Sequence, residues 1–429
     1  MTYQEARNYL KEVSRSGCVL GLESIRNLLM ELGNPQDHLK FIHIAGTNGK
    51  GSVSAYLSTV LSTAGYKTGR FLSPAVLSEL ESIQVDEKNI SEGLFAIFVL
   101  EVKQAISYLL EKGLPHPTVF EIEVAIAFLH FKQEKCDLVV LETGMGGLND
   151  ATNVVDNTLA AVFTTVGKDH IEYFGDTVAK LTTEKAGIIK PNSQVVMGNL
   201  PAEAETIIKQ MAQKQRAPFH KIHLEHMTLK KPSQRFEQIF SYKNLGDFTI
   251  KMLGNHQIEN AILAIEVIES LKARGVDIST PVLKAGLART KWLGRTTIIQ
   301  NLPIVIVDGA HNHESIKALK EVLIEYFPDQ KIVGVMGVFK DKEIEIMLEE
   351  MEGVIEKIHA IALPNKERTM DAKELKEHAE AAGIQAEVAD STGEAIEKAI
   401  HDAGKDGVVV TFGSLSYLGE VFDYFASSF

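Results

Sequence analysis

The chain has 429 residues, more than one hydrophobic core serves well, so two domains are expected. Hydrophobic residues make up 45% and charged residues 24%, as in an ordinary globular protein, and the formal net charge is −13. That charge argues against nucleic acid and anionic membranes as partners, so an anionic ligand must be met by local cations or metal ions. Two cysteines, Cys18 and Cys136, stand far apart without metal-ligand spacing, which excludes a disulfide framework or a cysteine zinc site. Cys136, ahead of DLVVLETG, reads as a small buried hydrophobe. The N-terminus lacks the apolar core of a signal peptide, and no apolar run approaches the ~18 residues of a membrane span. A cytoplasmic location is expected.

In chain order, the first informative segment is Phe41 to Ser52, FIHIAGTNGKGS. A β-branched apolar run breaks at Gly46 into a glycine-rich turn with one lysine, then opens onto the helical stretch SVSAYLSTVL. Phosphate oxygens need converging backbone N–H groups, a cation and a helix N-terminus. Gly46, Thr47, Asn48, Gly49, Lys50, Gly51 and Ser52 supply them, and the Ser52 hydroxyl is suited to a magnesium ion. The spacing departs from G-x-x-x-x-G-K-[ST], because Gly51 intervenes between the lysine and the hydroxyl residue.

Strand-like runs followed by helical patterns recur: CDLVVLET, LAAVFTTVG and SQVVMGN, then LPIVIVDGA, KIVGVMGV, EKIHAIAL and GVVVTFG. Strands alternating with helices imply parallel sheets, whose ligands bind beyond the carboxyl ends of the strands. In LETGMGGLNDATN, Glu142 ends such a run and is either a magnesium ligand or a salt-bridged strand-end glutamate. In TTVGKDHIEYFG, His170 follows a strand. Alone it reads as a hydrogen-bonded structural histidine, and its strand-end position makes it a candidate ligand. Lys185 in TEKAGIIKP reads locally as a solvated charge. Residues 215 to 253, with scattered charges and short alternating pieces, read as an antiparallel edge or hairpin insertion, and 254 to 290 as helices. GNHQIENA places His256 and Asn260 on one helical face, either in a site or in solvent. Trp292, Gly294 and Arg295 of WLGR precede DGAHN, where Asp308 ends a strand and His311 and Asn312 follow. A domain boundary is expected between 296 and 301, dividing 1–296 from 297–429.

Together HIAGTNGKGS, VFEIEVAIAF, LETGMGG with DATN, VGKDH, EKAGIIK, GNHQIENA, WLGR, DGAHN and VTFGSLSYLGEV resemble the folylpolyglutamate synthase and dihydrofolate synthase family, a branch of the Mur ligases. They follow that family's order over most of the chain. The resemblance implies an N-terminal P-loop ATPase-like α/β domain, mostly parallel with a small antiparallel edge, and a smaller C-terminal Rossmann-like domain. It implies an ATP-dependent ligase that adds L-glutamate to a folate or dihydropteroate carboxylate through an acyl phosphate, working as a monomer.

Carried over by residue, the resemblance implies that Gly49, Lys50, Gly51 and Ser52 hold the triphosphate, and that Ser73, Glu142 and His170 join Ser52 as magnesium ligands. Lys185 matches a lysine that is carbamylated to hold a second magnesium, and His256, Asn260, Arg295, Asp308 and His311 meet the nucleotide from across the cleft. Departures fall in SPAVLSELESIQ, where Ala75 and Ser82 replace a histidine and an arginine on the pterin side, and His313 stands where proline is usual. A ligase for another carboxylic acid, or a nucleotide-binding module without turnover, remain as alternatives. Muramoyl ligases are disfavoured, since a whole domain precedes their phosphate loop and only about forty residues do here.

Overall fold

A computed structural model describes residues 1–14, 21–167 and 171–426. Cys18 and His170 therefore lie outside the described residues. The first sheet has eight strands: β1 (Phe41–Ala45), β2 (Thr68–Phe71), β3 (Ile83–Val85), β4 (Lys88–Asn89), β5 (Leu138–Glu142), β6 (Thr158–Phe163), β7 (Gln194–Met197) and β8 (Phe219–Lys221). Their order is β4-β3-β2-β5-β1-β6-β7-β8. Only the β2–β3 and β3–β4 pairings are antiparallel, so the sheet is parallel with an antiparallel edge. β1 lies at the centre, fully buried, as expected of a parallel strand covered on both faces by helices. It pairs with β5 on one side and β6 on the other, so three strand ends open at one point: Ala45 into the glycine turn, Glu142, and Phe163 before Thr164.

Residues 215 to 253 contribute β8 to that sheet and otherwise form a small antiparallel sheet of their own. It comprises β9 (Met227–Lys230), β10 (Gln238–Tyr242) and β11 (Asp247–Ile250), an insertion rather than an edge of the large sheet. It is tied to the helix Asn255–Leu271 by the Tyr242 hydroxyl, which donates to Glu266 Oε1 at 2.7 Å, and to the turn before that helix by Gln238 Nε2, which donates to the Met252 and Gly254 carbonyls.

The third sheet begins at β12 (Thr297–Asn301) and continues with β13 (Ile304–Val307), β14 (Ile332–Met336), β15 (Lys357–Ala360), β16 (Gln385–Val388) and β17 (Val408–Phe412). The order is β12-β13-β17-β14-β15-β16, antiparallel only at β12. Helices cover both faces in two apolar cores. Because β13 and β17 are neighbours, DGAHN and FGSLS emerge side by side, and Gly413 N donates to Ala310 O at 2.7 Å.

The expectation of no membrane-length apolar segment needs one correction. The helix Glu92–Glu111 is long and apolar enough by composition to span a bilayer. Its Phe95, Phe98, Val99, Val102, Ile106 and Leu109 are buried in the core of the N-terminal domain, which accounts for that composition. Cys136 is buried as expected, and burial pushes its thiol up to about 12.

His43 of β1 has no solvent exposure, and its Nε2 lies 2.8 Å from Thr152 Oγ1. Burial first, then the Lys190 charge, lowers its pKa to about 3. Below about pH 6.5 the unfolded chain takes up a proton that the folded chain refuses, so this stability is complete above 6.5 and falls toward pH 3. In urea titrations between pH 6 and 4, His43→Gln should show a shallower loss of stability than wild type by up to about 1.4 kcal/mol per pH unit. Equal slopes would mean that His43 is protonated in the fold.

Candidate active site

The phosphate loop is held by close approach on three sides. A Cβ built on Gly46 would lie 1.8 Å from Thr164 Oγ1, one on Gly49 2.7 Å from Asn260 Oδ1, and one on Gly51 3.0 Å from Trp292 Nε1. Gly49 has φ +88°, in the left-handed region, and caps the helix Lys50–Thr63. That conformation turns the loop so that the N-terminus of the helix faces the cavity.

Threonines after β6 anchor the loop from below. Thr47 N donates to Thr165 O at 2.9 Å, Asn48 N to Thr165 Oγ1 at 2.8 Å, and Thr164 Oγ1 to Asn48 O at 2.6 Å. Lys50 curls over its own turn, its Nζ donating to Gly46 O at 3.0 Å and Thr47 O at 3.3 Å. The Ser52 hydroxyl is almost wholly buried and accepts from Gln257 Nε2 at 3.2 Å, while Gln257 Oε1 accepts from Asn260 Nδ2 at 3.2 Å. Asn260 thus lies against the loop, as the i, i+4 spacing with His256 allowed, and Gln257 between them orients Ser52.

A cavity of about 660 Å³ opens above the loop. Its wall includes Thr47 to Ser52, Ser73, Glu142, His256, Asn260, Arg295, Asp308 and His311. The strand ends of two sheets therefore face one space, and every expected site residue among the described ones lines it except Gly46 and Lys185. Gly46 lies just beneath, at the end of β1. Lys185 is buried at the end of the helix Val178–Ala186, where its backbone and that of Glu184 meet Gly147. Leu148 N donates to Glu184 O at 2.7 Å and Asn149 N to Glu184 Oε1 at 3.0 Å, so the LETGMGGLND loop and the Lys185 helix form one packed unit.

Glu142 is 5% exposed. Burial pushes its carboxyl up to about 7 although Lys50, Arg295 and Arg70 pull it down, so desolvation outweighs three nearby cations. Arg70 is itself buried, its pKa lowered to about 10 by desolvation, and its guanidinium lies 4.9 Å from the Trp292 ring. Ser52, Ser73 and Glu142 offer the oxygen donors a hard cation prefers. Among the described residues no cluster of three or more His, Cys, Asp or Glu could cage a metal, so an ion here would complete its shell with water and phosphate oxygens.

On the far wall, Asp308 does more than end its strand. Its Oδ2 accepts from Thr296 N at 2.6 Å and its Oδ1 from Ala310 N at 2.7 Å, which clamps the start of β12 to the turn after β13. Burial raises its pKa, and the Arg295 charge and these hydrogen bonds oppose the rise. Arg295 donates to Gly294 O at 2.9 Å, and a Cβ on Gly309 would lie 2.5 Å from its Nη1. The His311 ring pairs through Nδ1 with Gly309 O at 2.7 Å. His256 is lowered to about 4, by burial and then by Arg295, and is neutral near pH 7.

Several contributors escaped the reading of the sequence. Gln257 lies within the quoted GNHQIENA, Phe339, Lys342 and Arg368 come from two loops of the C-terminal domain, and Ser414 and Ser416 follow β17. The position of Ser414 after a buried strand was the available signal. Ala75 and Val76 of the departing loop also line the cavity, and Val76 packs on the C-terminal core.

The Mur ligase middle domain family matches residues 44–268, and the Mur ligase glutamate ligase domain family matches 294–415. A dihydrofolate synthase/folylpolyglutamate synthase of Bacillus subtilis is 33% identical over 426 residues, 98% of each chain. Among solved structures, a Thermotoga maritima folylpolyglutamate synthase superposes with TM-score 0.85 at 32% identity, covering 100% of this chain and 97% of its own. A Mycobacterium tuberculosis folylpolyglutamate synthase, solved with ADP and AMPPCP, superposes with TM-score 0.89 at 27% identity over 99% of both.

Trp292 is the single tryptophan and lies against Gly51, so its fluorescence should report ADP in the loop. Gly49→Ala puts a methyl group at a left-handed position and against Asn260, and should raise the ADP concentration at half-change at least about tenfold, the equivalent of ~1.4 kcal/mol. An unshifted titration would remove Gly49 from the phosphate site.

Proposed function

The chain belongs to the folylpolyglutamate synthase and dihydrofolate synthase family of Mur ligases, and from that premise we propose that it joins L-glutamate to the carboxylate of a folate or dihydropteroate at the cost of ATP. The observation that carries this reading is the single cavity in which the phosphate loop, Glu142 and Arg295 meet beside the apolar groups Leu72, Pro74, Val76, Phe339 and Leu415. A charged triphosphate and a flat aromatic acid both find complementary walls there.

The reaction proceeds by attack of a substrate carboxylate oxygen on the γ-phosphorus of ATP, releasing ADP and leaving an acyl phosphate. The glutamate nitrogen then attacks the acyl carbon, and phosphate departs as the amide forms. Positioning and charge neutralisation dominate such chemistry. The turn from Gly46 to Ser52 holds the phosphates, Lys50 offsets their charge from one side and Arg295 from the other, and His256, Asn260, Asp308 and His311 bound the nucleotide. Magnesium held by Ser52, Ser73, Glu142 and His170, with a second ion at a carbamylated Lys185, would neutralise phosphate charge and polarise the transferring group. Burial of Lys185 and Glu142 is consistent with that assignment, since each then gains from a charged neighbour replacing lost water.

We place the domain boundary between 296 and 297, ahead of the strand that opens the third sheet, and take the protein to be a cytoplasmic monomer that binds neither nucleic acid nor membrane. The rival ligase for a different acid rests on Ala75 and Ser82.

ADP formation measured with dihydropteroate, tetrahydrofolate and methylenetetrahydrofolate, each with and without glutamate, tests the proposal. Turnover that requires both a pteroate-type acid and glutamate is expected. ATP binding without ADP production from any of them would refute it. Lys185→Ala should lose most activity and recover part of it with short carboxylates, and full activity in the unsupplemented variant would remove the carbamate.

A further inference from the structure

The phosphate loop and the C-terminal domain touch through one reciprocal pair of side chains. Asn312 Nδ2 donates to Asn48 Oδ1 at 3.1 Å, and Asn48 Nδ2 lies 3.4 Å from Asn312 Oδ1. Asn48 sits in the turn between β1 and its helix, with its backbone spent on Thr164 and Thr165. Asn312 is the N-cap of the helix His313–Tyr326. Its Oδ1 accepts from Ser315 N at 3.0 Å, while Ser315 Oγ accepts from Asn312 N at 3.1 Å. One carboxamide therefore caps a helix of the C-terminal domain and grips the loop of the N-terminal domain. The same helical turn also rests on the loop after β6, where a Cβ on Gly167 would lie 2.8 Å from Glu314 Oε1.

We propose that the Asn48–Asn312 carboxamide pair is a latch that sets the C-terminal domain in register on the phosphate loop, which makes Asn312 a positioning residue for the ligase reaction. Asp308, Arg295 and His311 stand on the same segment as Asn312, so a loop seated by nucleotide transmits its position through Asn48 to the groups that complete the cavity. Two matched amide hydrogen bonds between rigid elements select one relative placement, because a shift of about 1 Å breaks both. Seating the domains in this way also excludes water from an acyl phosphate. The kinetic part of this inference rests on the ligase reading; the structural part does not.

Asn312→Ser keeps a capping hydroxyl for the helix but is too short to reach Asn48, whereas Asn312→Ala loses cap and latch together. Asn48→Ala removes the latch from the other side. We expect Asn312→Ser to melt close to wild type and above Asn312→Ala, and to lose about tenfold in kcat/KM for the amine. Asn48→Ala should show a similar loss, with the double variant no worse than either single one. Small-angle scattering of the full chain with magnesium and ADP should give a larger radius of gyration for Asn312→Ser than for wild type. Losses that multiply to about a hundredfold in the double variant, an unchanged radius of gyration, or a serine variant that melts as low as the alanine one would overturn the proposal. A wild-type chain without turnover would refute the ligase reading, and scattering would still decide the latch.

Discussion

The close packing around the glycines of the phosphate loop is the constraint on which the rest of the molecule depends. Gly46 lies under Thr164 and Gly49 under Asn260, at separations where an added side chain would force a shift, and Gly51 packs tightly under Trp292. The three neighbours come from the end of β6, the helix Asn255–Leu271 and the WLGR segment that leads into the C-terminal domain. One loop is thus the meeting point of the large sheet, the helix behind it and the connection to the second sheet. Its hydrogen bonds to Thr164 and Thr165 fix its height, and Gln257 fixes the direction of Ser52.

Electrostatics around that loop run against the composition of the chain. A protein of net charge −13 builds a pocket whose wall sets Lys50, Arg295, Lys342 and Arg368 against Glu142, Glu259, Asp308 and Glu314, so an anionic ligand is met there by individual cations rather than by a basic field. Two carboxyls, Glu142 and Asp308, are buried on the same wall, and both are raised by desolvation. They resolve that cost differently. Asp308 is repaid by backbone and hydroxyl donors and becomes a structural clamp at the start of β12. Glu142 has charges nearby but stays raised to about 7, because Lys50, Arg295 and Arg70 do not offset the water lost on burial.

Much of this was legible in one dimension because parallel strands in the middle of a sheet must be apolar on both faces. The eight apolar runs named from the sequence are all strands, and Glu142 and Asp308, which end LVVLE and IVIVD, line the cavity. β2, β3, β4, β8, β12 and β16 were not legible. They are short, sit at or near sheet edges, or carry polar residues, as in TGRF, where the buried Arg70 is accommodated by Trp292 and Gln84. The segment 215 to 253 showed its antiparallel character through alternation, but whether it extended the large sheet or stood apart depended on Tyr242 finding a partner on the helix Asn255–Leu271 and Gln238 on the turn that leads into it. The helix Glu92–Glu111 shows the converse ambiguity, since an apolar surface meant for other helices has the composition of one meant for lipid.

Sequence alone determined the chemistry on offer: a glycine turn with one lysine between a strand and a helix, carboxylates at strand ends, and a motif order that marks the family. Those features are local, set by backbone conformation and by residues within a few positions of each other. Tertiary structure decided which of them share a space. Asn48 and Asn312 are 264 residues apart and Ser52 and Gln257 are 205 apart, yet each pair is hydrogen-bonded. Such contacts depend on strand order and on how one sheet seats against another, which no periodicity in the chain encodes.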